Sequence, residues 1–154
     1  MAVEIRQASA ADDVAARDIV EEYCRAIGVV VRDDPATLRS YLEGPGALWL
    51  ACDGDAVVGC VVLRPLPALA ADACEVKRLY VSPARRGERI AGRLMDALEQ
   101  YARQAGYRAV YLDTYDELAV AIRLYERRGY EPTARYNDNP QATQFLRLAL
   151  VEEP

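Results

Sequence analysis

A basic stretch between a predicted strand and a predicted helix is where the residue types most clearly favour ligand chemistry. It covers residues 81–92, VSPARRGERIAG. The first turn of a helix carries unpaired backbone N–H groups and the positive end of the helix dipole, and both attract anions. Gly87, Ala91 and Gly92 are small enough to let a ligand approach the backbone. The stretch favours a phosphate site, but an ordinary helix start with solvated arginines has the same composition. The arginines concerned are Arg85, Arg86 and Arg89.

The chain contains no histidine, which excludes several kinds of catalytic site. No Ser-His-Asp triad or Cys-His pair can form, and no imidazole is available to ligate zinc or iron. Proton transfers must therefore use carboxylate, tyrosine, cysteine, lysine or water. The cysteines are scattered with no CxxC pair, so we expect reduced, buried thiols and no metal site. They are Cys24, Cys52, Cys60 and Cys74.

Length and charge narrow the possible partners. A chain of 154 residues predicts a single domain over residues 1–154. The sequence has no signal-peptide pattern and no apolar run of membrane-spanning length, so we expect a cytoplasmic protein with no membrane partner. The formal charge is −5, but residues 75–93 hold six basic and two acidic side chains, a local charge of +4 that leaves −9 elsewhere. One basic patch on an acidic chain favours a small anionic ligand and argues against nucleic acid.

Hydrophobic periodicity and turn residues predict the elements that would position the basic stretch. The strongest local signal is Asp53-Gly54 between the apolar runs 48–52 and 56–63, which predicts a β-hairpin. Apolar residues at helical spacing predict an amphipathic helix over residues 88–105. The other predicted strands are 2–8, 73–81, 109–113, 130–136 and 143–150, and the other predicted helices are 9–27, 33–43 and 117–128. Their order predicts an α/β (α+β) sandwich around a mostly antiparallel sheet, with one βαβ step of parallel type.

Four segments of the chain, taken together with their order and spacing, resemble the GNAT superfamily of N-acetyltransferases. Residues 86–91, RGERIA, are similar to the acyl-CoA pyrophosphate loop R/Q-x-x-G-x-G/A, except that Arg89 replaces the central glycine. Residues 75–83 and 106–114 resemble the family's fourth and fifth strands. Residues 121–130, AIRLYERRGY, resemble the signature A-x-x-L-Y-x-x-x-G-F. A second departure is Leu118, seven residues before Tyr125, where many members have an asparagine that contacts CoA.

The resemblance implies the GNAT fold: a mixed, mostly antiparallel sheet with splayed strands 4 and 5, flanked by about four helices. It also implies acetyl-CoA as the acyl-donor cosubstrate, with no metal. Backbone groups of Leu79, Tyr80 and Val81 would bind the pantetheine amides in the manner of an added strand. The residues implied to hold the pyrophosphate are Arg86, Gly87, Glu88, Arg89, Ile90, Ala91 and Gly92.

The substitution of arginine for the loop glycine has two readings. If the turn requires positive φ at this position, Arg89 costs about 1 kcal/mol. If the position is already helical, Arg89 can point outward and help to neutralise a phosphate. The sequence leaves both readings open.

The resemblance also implies two proton-transfer groups. Tyr125 aligns with the family's general acid, which would protonate the departing thiolate of CoA. Glu75, six residues before Val81, stands where histone-acetylating relatives carry a catalytic glutamate and would deprotonate the acceptor. Each has a structural alternative, since Tyr125 could be a core aromatic residue and Glu75 could pair with a neighbouring cation. Asp116, Glu117 or a water chain remain open as the base.

The implied function is an acyl-CoA-dependent N-acyltransferase that moves acetyl to a primary amine of a small molecule or peptide, by direct attack in a ternary complex. Two alternatives remain: a non-catalytic acyl-CoA-binding or sensing module of the same fold, and an unrelated nucleotide-phosphate-binding α/β domain. The acceptor would be recognised by variable parts of the chain, and a homodimer is left open. These parts are the early helices with Asp33, Asp34 and Glu43, the loop 65–72 and the segment 136–140.

Overall fold

The computed structural model describes residues 2–30 and 32–151. These residues form seven β-strands and four α-helices in the predicted order, with short 3-10 turns at Ala10–Asp12 and Pro83–Arg85. No helix in this part of the chain is both long enough and apolar enough to cross a bilayer. The strands are β1 Glu4–Gln7, β2 Ala47–Asp53, β3 Ala56–Pro65, β4 Ala73–Val81, β5 Ala109–Thr114, β6 Glu131–Pro132 and β7 Gln144–Ala149. The helices are α1 Asp13–Ile27, α2 Pro35–Glu43, α3 Ile90–Gln104 and α4 Ala119–Arg127.

The strands form one mixed sheet in the order β1-β2-β3-β4-β5-β7-β6. The described chain divides into two compact units, one from residues up to 64 with 76–100 and the other from 65–75 with 101 onwards. Strand β4 contributes to both units.

In the first unit, β1, β2 and β3 pair in antiparallel fashion. Gly54 adopts a φ of 60° in the turn between β2 and β3, as the Asp-Gly signal predicts. Ile19 and Cys24 of α1 and Tyr41 of α2 pack in a core cluster with buried strand residues. A Cβ on Gly59 would lie 2.7 Å from the carbonyl oxygen of Tyr80, so glycine is needed where β3 approaches β4.

In the second unit, β4 pairs in parallel with β5 through Ala73–Glu75 and Ala109–Tyr111, which confirms the predicted parallel step. Strand β7 pairs antiparallel with β5 along all six residues of β5 and with the two-residue strand β6. Side chains two apart on a strand share a face. Tyr111 and Asp113 therefore lie on the face that also carries Glu75, which is opposite Tyr111 in the register.

The fold class and element order are as predicted, and three of the boundaries that differ have a clear structural cause. Helix α1 begins at Asp13, after a 3-10 turn that follows Ser9. Helix α3 begins at Ile90 and not at residue 88, because Arg89 has a φ of 63° and cannot continue a right-handed helix. The strand predicted for 130–136 is reduced to β6, because the Arg135 guanidinium binds the carbonyl oxygens of Asn137, Asn139 and Ala142 and so holds the chain as a loop.

Candidate functional site

Residues 82–93, here called the basic loop, carry the predicted phosphate-binding segment from the end of β4 into α3. Gly87 has a φ of 87° and Arg89 a φ of 63°. Two left-handed residues so close together turn the chain immediately before Ile90, the first residue of α3. Gly87 and Arg89 are both exposed, and a Cβ built on Gly87 would meet nothing within 4 Å. The loop therefore presents exposed backbone at the N-terminus of a fifteen-residue helix, an arrangement suited to anions.

The backbone conformation decides between the two readings of Arg89. The position where the loop pattern has glycine is left-handed, so Arg89 carries the steric cost of that conformation, about 1 kcal/mol. The arginine occupies the glycine conformation and is not the first residue of the helix.

The arginines of the basic loop differ in how far they are engaged. Arg85 donates to both carboxylate oxygens of Glu88, at 2.9 and 3.0 Å, and to Asp53 at 2.7 Å. These bonds raise the pKa of Arg85 and lower the pKa of Glu88. Arg86 donates from Nε to the Val81 carbonyl oxygen at 3.1 Å. The expected contribution of Arg85 to anion binding is thus already taken up by two carboxylates, whereas Arg89 is exposed and forms no ion pair with another described residue.

The end of β4 is irregular just before Leu79, Tyr80 and Val81. Arg78 has a φ of 57°, and its carbonyl oxygen lies 3.2 Å from the Cys60 sulfur. Tyr80 and Val81 are buried and Leu79 is partly buried. Burial, with a smaller effect of Glu22, raises the pKa of Tyr80 to about 12, so its phenol is neutral near pH 7. The three residues proposed to offer backbone groups therefore follow a left-handed residue, where the strand leaves the extended conformation.

A buried ion pair connects this strand to the segment between α1 and α2. Arg78 donates to Asp33 from Nε at 3.2 Å and from Nη2 at 3.3 Å, and each side chain is 11% exposed. The Tyr41 hydroxyl donates to the same carboxylate at 3.1 Å, and the guanidinium lies 5.7 Å from the Tyr23 ring centroid. The sequence predicts Asp33 only as one of the variable residues, because nothing local indicates a partner 45 positions away.

Glu75 is completely buried in the second unit. Its Oε2 accepts a hydrogen bond of 2.6 Å from the Tyr136 hydroxyl. The Tyr136 ring lies edge-on to Tyr111 and Phe145, with centroid distances of 5.4 and 5.5 Å. Asn137 donates to Asp113 at 2.6 Å and so attaches the loop after Tyr136 to β5. We call Glu75, Tyr111, Asp113, Tyr136 and Phe145 the Glu75 cluster.

Tyr125 lies in α4 and is 6% exposed. Its ring centroid is 5.7 Å from that of Tyr130, which follows the glycine at the end of the signature. Leu118 occupies the N-cap position of α4 and offers no side-chain hydrogen bond there. The departure at Leu118 therefore leaves the first turn of α4 without a side-chain cap.

The family model for the acetyltransferase (GNAT) family matches residues 16–130. The chain belongs to the GNAT family of acetyltransferases. The resemblance drawn from the sequence is thereby confirmed, and an unrelated nucleotide-phosphate-binding domain is excluded. The enzyme class that follows from membership is that of an N-acetyltransferase.

Curated relatives agree with this GNAT assignment. An uncharacterised N-acetyltransferase of Schizosaccharomyces pombe is 35% identical over 129 residues, which cover 79% of this chain and 78% of that protein. The probable N-acetyltransferase family 8 member 5 of Mus musculus is 38% identical over 102 residues, which cover 65% of this chain and 45% of that protein. The chain thus spans most of the yeast relative but less than half of the mouse relative.

Solved GNAT structures share the fold at low sequence identity. An acetyltransferase of Salmonella typhimurium, solved with its cofactor acetyl-CoA, superposes with a TM-score of 0.78 at 20% identity, covering 100% of this chain and 97% of that chain. This likeness confirms the mixed sheet and its flanking helices. At 20% identity, this structural likeness shows a shared fold and does not assign roles to residues.

The cysteines of this GNAT chain are poorly placed to form a covalent acetyl intermediate. All four are buried. Burial, with a smaller contribution from the charge of Glu75, raises the pKa of the Cys74 thiol to about 12, and burial also raises the pKa of Cys60. A thiol with a raised pKa is a weak nucleophile near pH 7, because the thiolate is the reactive form. Among the described residues, no group of three or more Cys, Asp or Glu side chains could hold a metal ion.

Proposed function

We propose that this chain transfers an acetyl group from acetyl-CoA to a primary amine of a small molecule or peptide, by direct attack in a ternary complex. The observation that carries the proposal is the left-handed backbone at Gly87 and Arg89 directly before α3, in the segment that matches the family's pyrophosphate loop. Family membership shows that the chain is an acetyltransferase. The proposed steps of the reaction rest on individual residues.

The residues present fit acetyl-CoA as the cosubstrate. The exposed backbone of Gly87 and the partly exposed small residues Ala91 and Gly92 leave room for a pyrophosphate at the start of α3. The pyrophosphate would be held by Arg86, Gly87, Glu88, Arg89, Ile90, Ala91 and Gly92. The backbone of Leu79, Tyr80 and Val81 would bind the pantetheine amides. Acetyl-CoA supplies an acetyl group already activated as a thioester.

Tyr125 is the proposed general acid. A thiolate that leaves in a desolvated environment needs a proton donor nearby, and a neutral phenol can provide the proton. The almost complete burial of Tyr125 and its packing against Tyr130 hold the phenol in one orientation. The same burial would suit a core aromatic residue, and the kinetics of Tyr125→Phe distinguish the two roles.

Glu75 is the proposed final acceptor of the proton that the acceptor ammonium must lose before it can attack. The protein has no histidine, so a carboxylate is the first candidate for the role of base among its side chains. The alternative of an ion pair with Arg78 has less support, because the Arg78 guanidinium binds Asp33. Asp116 is held by Thr143 and Gln144, and its pKa is lowered by these bonds, which makes it a weaker base.

Direct transfer is favoured over a covalent acetyl-cysteine route because burial raises the pKa of Cys74 to about 12. The single domain over residues 1–154, the cytoplasmic location and the homodimer stay predictions. The acyl-CoA-binding module without catalysis stays the second candidate, and it is favoured by Arg89 and by Leu118 at an uncapped helix start.

The experiment that tests the proposal has two stages. Calorimetry first measures acetyl-CoA binding, and a thiol-release assay then screens simple amines, amino acids, polyamines and peptides as acceptors. We expect acetyl-CoA to bind and at least one class of amine to accelerate the release of CoA. Binding without acceleration by any acceptor would favour the sensing module, and the absence of binding at millimolar acetyl-CoA would remove both candidates.

A further inference from the structure

We propose that Tyr136 is the group that contacts the acceptor amine. Glu75 acts through Tyr136 as a positioning residue: it orients the Tyr136 hydroxyl and accepts the phenolic proton. This inference rests on the proposed transfer to an amine and makes it more specific. The resemblance implies a role for Glu75, whereas Tyr136 belongs to the variable segment 136–140 and has no role implied for it.

Burial separates the roles of these two groups. Glu75 is 0% exposed, so its carboxylate cannot touch an acceptor that arrives from solvent. Tyr136 is only partly buried, and its hydroxyl donates to Glu75 Oε2 at 2.6 Å. This distance is typical of a hydroxyl bonded to a carboxylate, the shorter and stronger kind of hydrogen bond. Tyr136 is thus the more exposed member of a pair whose other member is a fully buried carboxylate.

The surroundings of Tyr136 fix the position of its hydroxyl. The ring packs edge-on against Tyr111 on one strand and Phe145 on another. The loop that follows is held by Arg135, which donates to three backbone carbonyl groups and lies 4.6 Å above the Phe145 ring. A side chain held from several directions is pre-organised, as a group that must receive a proton from a substrate has to be.

The proton transfer balances without any further reactant. The Tyr136 oxygen takes one proton from the acceptor ammonium while its own phenolic proton passes to Glu75 Oε2. The amine nitrogen, now with a free electron pair, forms the C–N bond as the C–S bond breaks and the leaving sulfur takes its proton from Tyr125. The nitrogen then loses a second proton, which restores Tyr125, and Glu75 returns its proton to solvent through Tyr136. The net products are the amide, CoA and one proton.

Other charged and titratable groups around the pair would also influence its pH response. Asp113 lies on the same strand face as Tyr111 and is bound by Asn137. Arg147 donates to the Tyr111 hydroxyl at 3.1 Å, and Arg135 covers Phe145. The neighbouring Cys74 is neutral near pH 7, because its pKa is raised to about 12. These groups lie around the pair, so we expect them to shift its pH profile and not to replace it.

The test compares four forms of the full chain, using acetyl-CoA and the best acceptor found for the wild type. They are Tyr136→Phe, Glu75→Gln, the double variant and the control Tyr107→Phe, which removes a partly buried phenol from the same unit outside the cluster. Tyr136→Phe keeps the ring packed between Tyr111 and Phe145, and Glu75→Gln keeps an oxygen that can accept from Tyr136. Thermal unfolding of each variant checks that it folds.

We expect kcat/KM to fall by about 100-fold in each single variant and to fall no further in the double variant, because the two groups form one proton path. The wild-type kcat/KM should change little with pH while the acceptor is an ammonium, because the protein itself removes the proton. In the variants it should rise by about tenfold per pH unit up to the acceptor's own pKa, because only free amine then reacts. A merely structural defect would lower the rate equally at every pH.

The outcomes separate this inference from the function on which it rests. A Tyr136→Phe variant with wild-type kcat/KM and pH profile overturns the role of Tyr136 and leaves the acetyltransferase proposal intact. Multiplicative losses in the double variant overturn the shared path. A folded wild-type protein that transfers acetyl to no amine overturns the proposed function and, with it, this inference.

Discussion

The basic loop and the Glu75 cluster differ in how they are built. The basic loop is exposed at Gly87 and Arg89, and its most informative feature is the left-handed φ of these two residues. The Glu75 cluster is buried or partly buried, and its most informative feature is a side-chain contact of 2.6 Å between Tyr136 and Glu75. The first region can use backbone N–H groups that every residue except proline provides, whereas the second depends on specific side-chain atoms.

This difference predicts that the two regions tolerate substitution to different degrees. An arginine can replace the loop glycine at a cost of about 1 kcal/mol, because only the backbone conformation has to be retained. A comparable exchange at Glu75 or Tyr136 would leave a buried polar group without its partner, which costs more. We therefore expect loop variants to change cofactor affinity and variants of buried side chains to change turnover or stability.

The largest effect is expected for Tyr125→Phe, which tests whether buried side chains control turnover. The change removes only the phenolic oxygen and should lower kcat by about 10²- to 10⁴-fold, the usual contribution of a general acid. The acetyl-CoA dissociation constant should stay within about twofold of the wild-type value, because the proposed acid stabilises the leaving thiolate and does not bind acetyl-CoA in the ground state. Steady-state thiol release and calorimetry measure the two quantities, with Tyr107→Phe as the control. An unchanged kcat would reject the acid role.

The next effect in size concerns the buried ion pair of the first unit. Asp33→Asn removes the charge that Arg78 binds and should lower the free energy of unfolding by about 2 kcal/mol. The matched control is Glu21→Gln, which breaks the exposed Arg32–Glu21 pair of 2.6 Å and should leave stability unchanged within error. Urea denaturation compares the two. Equal losses of unfolding free energy in the two variants would show that burial does not determine the strength of the Arg78–Asp33 and Arg32–Glu21 ion pairs.

A smaller effect tests the backbone role of the basic loop. Gly87→Ala and Gly106→Ala each place a side chain at a φ near 90°, where a Cβ meets nothing within 4 Å. Both should destabilise the protein by about 1 kcal/mol, because the left-handed conformation is costly for alanine. Only Gly87→Ala should also weaken acetyl-CoA binding, by about fivefold, since recovering the loop conformation costs about 1 kcal/mol. Calorimetry that finds equal affinity for both variants would contradict a role for the loop in binding.

The smallest effect is a gain in stability. Arg89→Gly should raise the free energy of unfolding by about 0.5 kcal/mol, because relief of the left-handed strain exceeds the added entropy of the unfolded chain. Arg93→Gly, in the first turn of α3, should instead lower it by about 1 kcal/mol, because glycine is a poor helix former. Thermal unfolding measures whether each variant is more or less stable than the wild type. A loss of stability in Arg89→Gly would mean that the arginine side chain contributes more than its backbone costs.

The sequence was sufficient for the features that depend on local chemistry. Asp53-Gly54 predicted the hairpin because that turn needs positive φ, and the apolar face of 88–105 predicted α3 to within two residues at its start and one at its end. The conformation of Arg89 could not be predicted, because arginine is compatible with either reading and only the fold requires the left-handed one.

Contacts between distant residues could not be predicted from one sequence. Tyr136 and Glu75 are 61 positions apart, and Arg78 and Asp33 are 45 apart. No periodicity or turn signal links such positions, since they meet only after the strands and loops have taken their places. The proposed base was therefore identified by resemblance alone, and its partner Tyr136 became visible only in the structure.

The most direct test of the central claim is the ratio of acetylated amine to CoA formed by the wild-type protein, measured by mass spectrometry during steady-state turnover with the best acceptor. Transfer of the acetyl group to an amine predicts a ratio of about one at every time point. Release of CoA without a matching amount of amide would contradict the account.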